Sequence, residues 1–302
     1  MTWKQTRKPR RKSEEKLVAF IGLIVLILLL IFGFYLCYSE YANAVKPQQE
    51  REQARLIALE HAKTTAALIE KGLERGEIEI PLGFQIDEDG HEFWYAKNNV
   101  SSYYESQGLD TFWLSLDYKQ DEKEATVLVN SDYPQDVPAQ NGLAFSRQYA
   151  DKVQQIVKGC PANATEYEKA LYIHDWIIQN CAYDHENSGK KEKNRFCSTA
   201  YACIGKGTAV CSGYSKAFCV LAEKLDLKAE YITGWGITKD APDPSDDNGH
   251  AWNSVMIDGK SLYIDVTWDD PSTPGKQKLT ERNHKYFLLD KEEMEKENHI
   301  FR

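Results

Sequence analysis

An α+β fold behind a single membrane-spanning helix is the architecture that this 302-residue sequence predicts, and three observations carry it. The stretch from Leu17 to Tyr38 holds no charged residue. A helical pattern beginning near Thr208 carries a cysteine in its first turn, and strand-like runs beyond Leu227 carry a histidine and an aspartate. With 42% hydrophobic residues the chain can build a proper core, in one large domain or two small ones.

The first element is the anchor. Leu17 to Tyr38 is 22 residues, enough at the helical rise to span a hydrocarbon core, so residues 17–38 are expected to sit in the lipid bilayer. Residues 1–16 form a basic arm, with Lys4, Arg7, Lys8, Arg10, Arg11, Lys12 and Lys16 against Glu14 and Glu15. The positive-inside rule keeps that arm in the cytoplasm and puts everything after Tyr38 outside. A cleaved signal peptide is the competing reading, because Ala42-Asn43-Ala44 imitates a cleavage site. The apolar run is longer than the usual h-region of about 7 to 15 residues, which favours the uncleaved anchor. Cys37 follows Leu36, too large a residue for a lipidation site, and reads as an apolar membrane residue.

Of the net charge of −9, the arm contributes +5 and the rest of the chain −14. An exterior this acidic repels phosphate, which excludes nucleic acid as a partner. Six cysteines follow the anchor, and an oxidising compartment permits disulfides among them. If Cys211 stays a free thiol, at least one of the other five is also unpaired. No CxxC or HExxH occurs, so neither a metal site nor another cofactor is expected.

Residues 39–140 read as a stalk helix followed by a strand-rich region. Leu56, Leu59, Ala62, Ala66 and Ile69 fall near helical spacing. From Glu77 to Val129 the texture turns aromatic and β-branched, with the turn signal Asp89-Gly90 and the clusters Phe93-Trp94-Tyr95 and Phe112-Trp113-Leu114. Residues 141–302 are expected to form the catalytic domain. Thr165 and Glu168 make a capping box for a helix whose Ala170, Ile173, Ile177 and Cys181 share a face. His174 in that helix reads as a packed or hydrogen-bonded residue rather than a catalyst. The next helix is expected to begin near Thr208, capped by Gly207 or Thr208, and three strands follow over Ala229–Trp235, Ala251–Ile257 and Ser261–Trp268.

The chemistry gathers at Cys211, His250 and Asp265. First-turn placement puts the Cys211 thiol at the positive end of a helix dipole, which favours the thiolate. Cys219, deeper in the same helix, reads as a small buried hydrophobe, whereas Gly205, Gly207 and Gly213 let backbone and substrate come close to Cys211. If Asp258-Gly259 makes a two-residue turn, Ile257 faces Lys260, His250 faces Thr267 and Trp252 faces Asp265. His250 and Asp265 are then diagonal neighbours on one face, and a slip of one residue would separate them. Gly213-Tyr214-Ser215-Lys216-Ala217 lacks the second glycine of a nucleophile elbow, and Asp240, Asp243, Asp246 and Asp247 lack calcium-loop spacing and read as a solvated loop.

Three ordered blocks resemble the signature of bacterial transglutaminase-like domains. They are Gly205-Lys206-Gly207-Thr208-Ala209-Val210-Cys211-Ser212-Gly213-Tyr214, then Gly249-His250-Ala251-Trp252-Asn253, then Asp265-Val266-Thr267-Trp268-Asp269-Asp270-Pro271. The resemblance spans roughly residues 150 to 290 and implies a papain-like core with a Cys, His, Asp triad. Cys211 is then the nucleophile, His250 the acid/base and Asp265 the residue that orients the imidazole. The expected activity is a thioester-forming attack on a carboxamide or peptide carbonyl of an envelope protein or wall peptide. Amine capture makes the chain a transglutaminase, water capture a peptidase or amidase, and an inert Cys211 a binding module. No glutamine placed as an oxyanion donor precedes Cys211, which leaves its backbone N–H for that task. Trp235, Trp252 and Trp268 lie where indoles would wall the site against water.

Overall fold

The computed structural model describes residues 10–83, 100–111, 114–120, 124–189, 195–245, 248–270 and 279–302. The chain divides into two compact units, Met1–Ala62 and Lys63–Arg302. In the first, helix α1 (Arg10–Glu40) runs through a π-helical segment, Tyr41–Val45, into helix α2 (Lys46–Glu74), which ends in the second unit. The stretch Phe20–Gln53 is long and apolar enough to cross a membrane, and its apolar window is not buried by protein. Leu30 and Phe34, for example, are both exposed.

In the second unit the end of α2 buries Ala66, Ile69 and Leu73. Strands β1 (Glu79–Pro81), β2 (Ser115–Gln120) and β3 (Ala125–Asn130) form an antiparallel sheet in the order β1-β3-β2. Residues 100–106 are helical, within a region read from its aromatic texture as strands. Val100 and Tyr104, four apart, are both fully buried, and the Tyr104 hydroxyl donates to the Ala66 carbonyl at 3.2 Å. Ser102, midway between them, is exposed, whereas strand alternation would put all three on one face. Asp89-Gly90, Phe93, Trp94, Tyr95, Phe112 and Trp113 lie outside the described residues.

Helix α3 (Ala139–Gly159) buries Leu143, Tyr149, Val153 and Ile156, a spacing that sequence reading left unassigned. Helix α4 (Glu166–Asn180) starts with the expected capping box, Thr165 accepting from the Glu168 N–H while Glu168 accepts from the Thr165 N–H. Two-residue strands β4 (Ala182–Tyr183) and β5 (Thr208–Ala209) pair in parallel, with a π-helical segment, Tyr201–Lys206, before β5. Helix α5 (Cys211–Lys224) therefore begins three residues later than expected, because the backbone of Thr208 and Ala209 is spent on β4 and Val210 takes the cap position. Its Tyr214, Ala217, Phe218 and Leu221 are wholly buried and join Ile173 and Ile177 of α4 in one core. Phe218, Leu221, Ile173 and Ile177 each contribute about 1.5–3 kcal/mol by leaving water.

Against α5 lies a five-stranded antiparallel sheet. It comprises β6 (Ala229–Gly236), β7 (Gly249–Ile257), β8 (Lys260–Ile264), β9 (Phe287–Leu289) and, after a one-turn helix α6 (Val266–Asp269) and helix α7 (Lys291–Lys296), strand β10 (His299–Phe301). Their order is β10-β6-β7-β8-β9, so the last residues of the chain pair with β6. Gly234 permits that approach. A Cβ there would collide with the Ile300 carbonyl and the Trp252 indole.

Candidate active site

The expected hairpin register holds as far as the strand does. Ile257 pairs with Lys260 and each step inward conserves the offset up to Asn253 with Ile264, around a turn whose Asp258 and Gly259 both have positive φ. The chain then leaves the sheet. Contrary to the reading of Ser261–Trp268 as one strand, His250 does not face Thr267 and Trp252 does not pair with Asp265. Asp265 instead caps α6, its Oδ1 accepting from the Thr267 N–H at 3.0 Å and the Trp268 N–H at 3.2 Å. A side chain that captures two backbone donors ends the ladder at Ile264, because those groups are no longer free for a neighbouring strand.

That cap also delivers the carboxylate. His250, second residue of β7, donates from Nε2 to Asp265 Oδ2 at 2.6 Å. With Nε2 so engaged, Nδ1 is the ring nitrogen left for the Cys211 thiol, whose pKa the imidazole lowers. Cys211 opens α5, at the positive end of a 14-residue helix. Sulfur, imidazole and carboxylate thus come together from a helix, a strand and a helix cap.

The electrostatics distinguish this thiol from its neighbours. Burial alone pushes the Cys211 thiol up, but the hydrogen bond and charge of His250, with the Ala251 N–H, outweigh it and bring the pKa below the ordinary value. Burial raises Cys160 and Cys203, and pushes Cys219 up to about 11. Cys219 is half-buried, accepting from the Asn253 amide at 3.2 Å, consistent with a packed rather than reactive residue. For His250 burial acts downward, but the charge and hydrogen bond of Asp265 win and hold the imidazolium up to about 10. Asp265, fully buried, is held well below the usual carboxylate range by His250 and His299, against the opposing effect of burial.

Trp268 stacks on the His250 ring at 5.0 Å with planes 22° apart, and Trp252 lies buried beneath it in the sheet. Both exclude water from the imidazole–carboxylate contact, where a low dielectric strengthens it. Trp235 packs under the guanidinium of Arg302. Gly213 has a structural task as well, since a Cβ there would meet the Cys197 carbonyl at 2.7 Å. The loop before His250 is tied by Asn248, whose amide donates to the Ala241 and Asp243 carbonyls. Asp240 and Asp243 are exposed, as a solvated loop requires; Asp246 and Asp247 lie outside the described residues.

Two clusters could be read as metal ligands, His174 with Asp175 and His284, and His250 with Asp265 and His299. Their nitrogen–oxygen separations of 2.6 to 2.9 Å are hydrogen-bond lengths. Two ligands on one tetrahedral zinc stand about 3.3 Å apart. His174 is buried and hydrogen-bonded at both nitrogens, to Asp175 and Asp269, in agreement with its reading as a packed residue. Sequence reasoning passed over Asp269, His284 and His299. Asp269 sat unremarked inside the third block, and nothing local marks the two histidines.

The family model of the transglutaminase-like superfamily matches residues 150–267, which include all three residues. This segment is a transglutaminase-like domain. Among solved structures, a TGase is 16% identical over 65% of this chain and 51% of its own, with a TM-score of 0.33. A putative cysteine protease from Cytophaga hutchinsonii is 19% identical over 51% of this chain and 62% of its own, TM-score 0.31. The periplasmic domain of TgpA from Pseudomonas aeruginosa, bound to ethylmercury, is 12% identical over 41% and 44%, TM-score 0.29. The chain spans about half to three-fifths of the length of the first two. No curated protein matches it. The transglutaminase-like domain thus has the α+β fold expected from its sequence, with mixed helices and sheet behind one apolar N-terminal helix.

Proposed function

We propose that the transglutaminase-like domain is a thiol acyltransferase that forms a thioester on Cys211 and passes the acyl group to an amine. The observation that carries this reading is the Cys211 thiol, lowered in pKa while Cys160, Cys203 and Cys219 are raised, at a helix start beside an imidazolium held by a buried carboxylate. The Cys211 thiolate attacks a carboxamide carbonyl carbon, with the Cys211 backbone N–H stabilising the oxyanion. As the C–N bond breaks, His250 gives its Nδ1 proton to the departing amine. An incoming amine then attacks the thioester, loses its proton to His250 and expels the thiolate. Asp265 remains ionised and orients the ring throughout. Water in place of the amine would make the same site a peptidase or amidase, and Asn248 beside His250 leaves a polar loop at the mouth.

The test supplies glutamine-containing peptides and a labelled primary amine to wild type and Cys211→Ala. Label incorporated by the wild type alone is expected. Cleavage or deamidation that depends on Cys211, without incorporation, transfers the assignment to hydrolysis. No Cys211-dependent product from envelope proteins or wall peptides leaves a binding module.

The same proposal places residues 1–16 in the cytoplasm, residues 17–38 in the bilayer and the catalytic domain, residues 141–302, outside, on the basic arm ahead of the apolar run. Envelope proteins or peptides are then the accessible substrates. Protease added to intact cells should degrade the C-terminal domain; a domain protected until lysis would reverse the topology.

A further inference from the structure

Asp265 receives four donors. Thr267 N–H and Trp268 N–H occupy Oδ1, and Oδ2 accepts both His250 Nε2 at 2.6 Å and His299 Nε2 at 2.9 Å. A carboxylate offers about four lone-pair directions, so this one is saturated. His299 is fully buried, and its other nitrogen, Nδ1, donates to the Glu297 carbonyl at 3.2 Å. Both of its partners are hydrogen-bond acceptors. Around it stand Trp268 at 4.4 Å, Trp252 at 5.0 Å, Tyr286 at 5.6 Å and His250 at 5.7 Å between ring centres. Asp265, His250 and Tyr286 are thus the titratable side chains that face it.

We infer that His299, delivered by the C-terminal strand, is a positioning residue for the reaction, completing a Cys211–His250–Asp265–His299 relay. It lies beyond the segment matched by the family model, and its assignment rests on the reading of Cys211, His250 and Asp265 as the reacting unit. Oδ2 has two lone-pair directions, and His299 fills one, which confines His250 to the other and so sets the direction of Nδ1 toward sulfur. A carboxylate that already accepts from a second imidazole is also a poorer proton acceptor, so the proton shared with His250 stays on the ring, where the leaving amine needs it. The fold serves this arrangement. Pairing of His299 with Gly236 puts β10 beside β6, and Gly234 lets it approach.

The test compares His299→Gln with His299→Asn in the full chain. A glutamine amide reaches the place of Nε2 and keeps the donor to Asp265; an asparagine amide reaches only the place of Nδ1 and keeps the bond to Glu297. Iodoacetamide labelling of Cys211 across pH reads the ion pair directly, and thermal unfolding confirms that both variants are folded. Loss of the Asp265 donor is expected to slow labelling at pH 6 by about ten- to a hundredfold in the asparagine variant and to move its profile toward that of an ordinary thiol. The glutamine variant should recover most of the wild-type profile. Equal profiles in all three proteins, or equal loss in both folded variants, overturn the role of His299. On the wild type itself, nitrogen-15 NMR of the histidines should find His299 Nε2 protonated while Cys211 is reactive, and an unprotonated Nε2 overturns the inference without any variant. A wild-type Cys211 that labels like an ordinary thiol defeats the underlying catalytic reading too, which separates the two failures.

Discussion

Replacing Asp265 by alanine is expected to lower kcat/KM for amine incorporation by about 10⁴-fold, the loss seen when the orienting acid of a catalytic triad is removed. Three structural consequences combine in that figure. His250 loses the charge that holds its imidazolium up to about 10, the cap of α6 loses its acceptor for two backbone N–H groups, and His299 loses its carboxylate. The pH dependence gives the sign. Cys211 is lowered and His250 is raised, so the thiolate–imidazolium pair prevails between the two, and activity should rise as Cys211 loses its proton and fall as His250 does near pH 10. In Asp265→Ala the His250 limb should shift to lower pH, narrowing the active window from its alkaline side. The raised His250 contributes stability that is full below its ordinary value of 6.5 and lost as pH rises through about 10. Asp265 contributes stability that is present above its ordinary 3.8 and lost as pH falls toward its lowered value. A folded Asp265→Ala protein with activity within tenfold of wild type would falsify the role given to the carboxylate.

The second large effect lies outside the reacting unit. His174→Leu should destabilise the second unit by about 3–5 kcal/mol, because it strands a fully buried carboxylate. Asp269 closes α6 and accepts from His174 Nε2 at 3.1 Å and from the Tyr286 N–H at 3.1 Å. Without the imidazole only the Tyr286 N–H of these two donors remains. Burial lowers the His174 pKa, but its bonds and charges to Asp175 and Asp269 prevail and raise it. The stabilisation is therefore full below 6.5 and disappears as pH rises through the raised value, so the gap between wild type and variant should shrink in alkali. Thermal unfolding should show a drop on the order of 10 °C at pH 6. A drop of a degree or two, or one that does not change with pH, would mean that the His174–Asp269 pair is not the stabilising contact. The effect bears on function because α6 carries Asp265 at its other end and Trp268, which stacks on His250, within it.

By itself the sequence determined those features whose cause is local. A charge-free run long enough for a bilayer, the Thr165–Glu168 box, the turn at Asp258-Gly259 and a cysteine at a helix start each depend on neighbours within a few positions. The same turn sets the register of β7 and β8 as far as Asn253 and Ile264. What the turn could not determine was where β8 ends. That depends on Asp265 finding the Thr267 and Trp268 N–H groups, and on the Tyr286 carbonyl accepting from the Asp265 N–H, twenty-one positions away in the chain. The later start of α5 has the same origin, since β5 exists only because β4 lies beside it. The buried histidines are the clearest case. His174 meets Asp269 across 95 positions and His299 meets Asp265 across 34, and no periodicity or motif reports such a pairing. An isolated histidine in a sequence has no partner to define its charge; tertiary packing supplied both the carboxylates and the aromatic shell that excludes water from them.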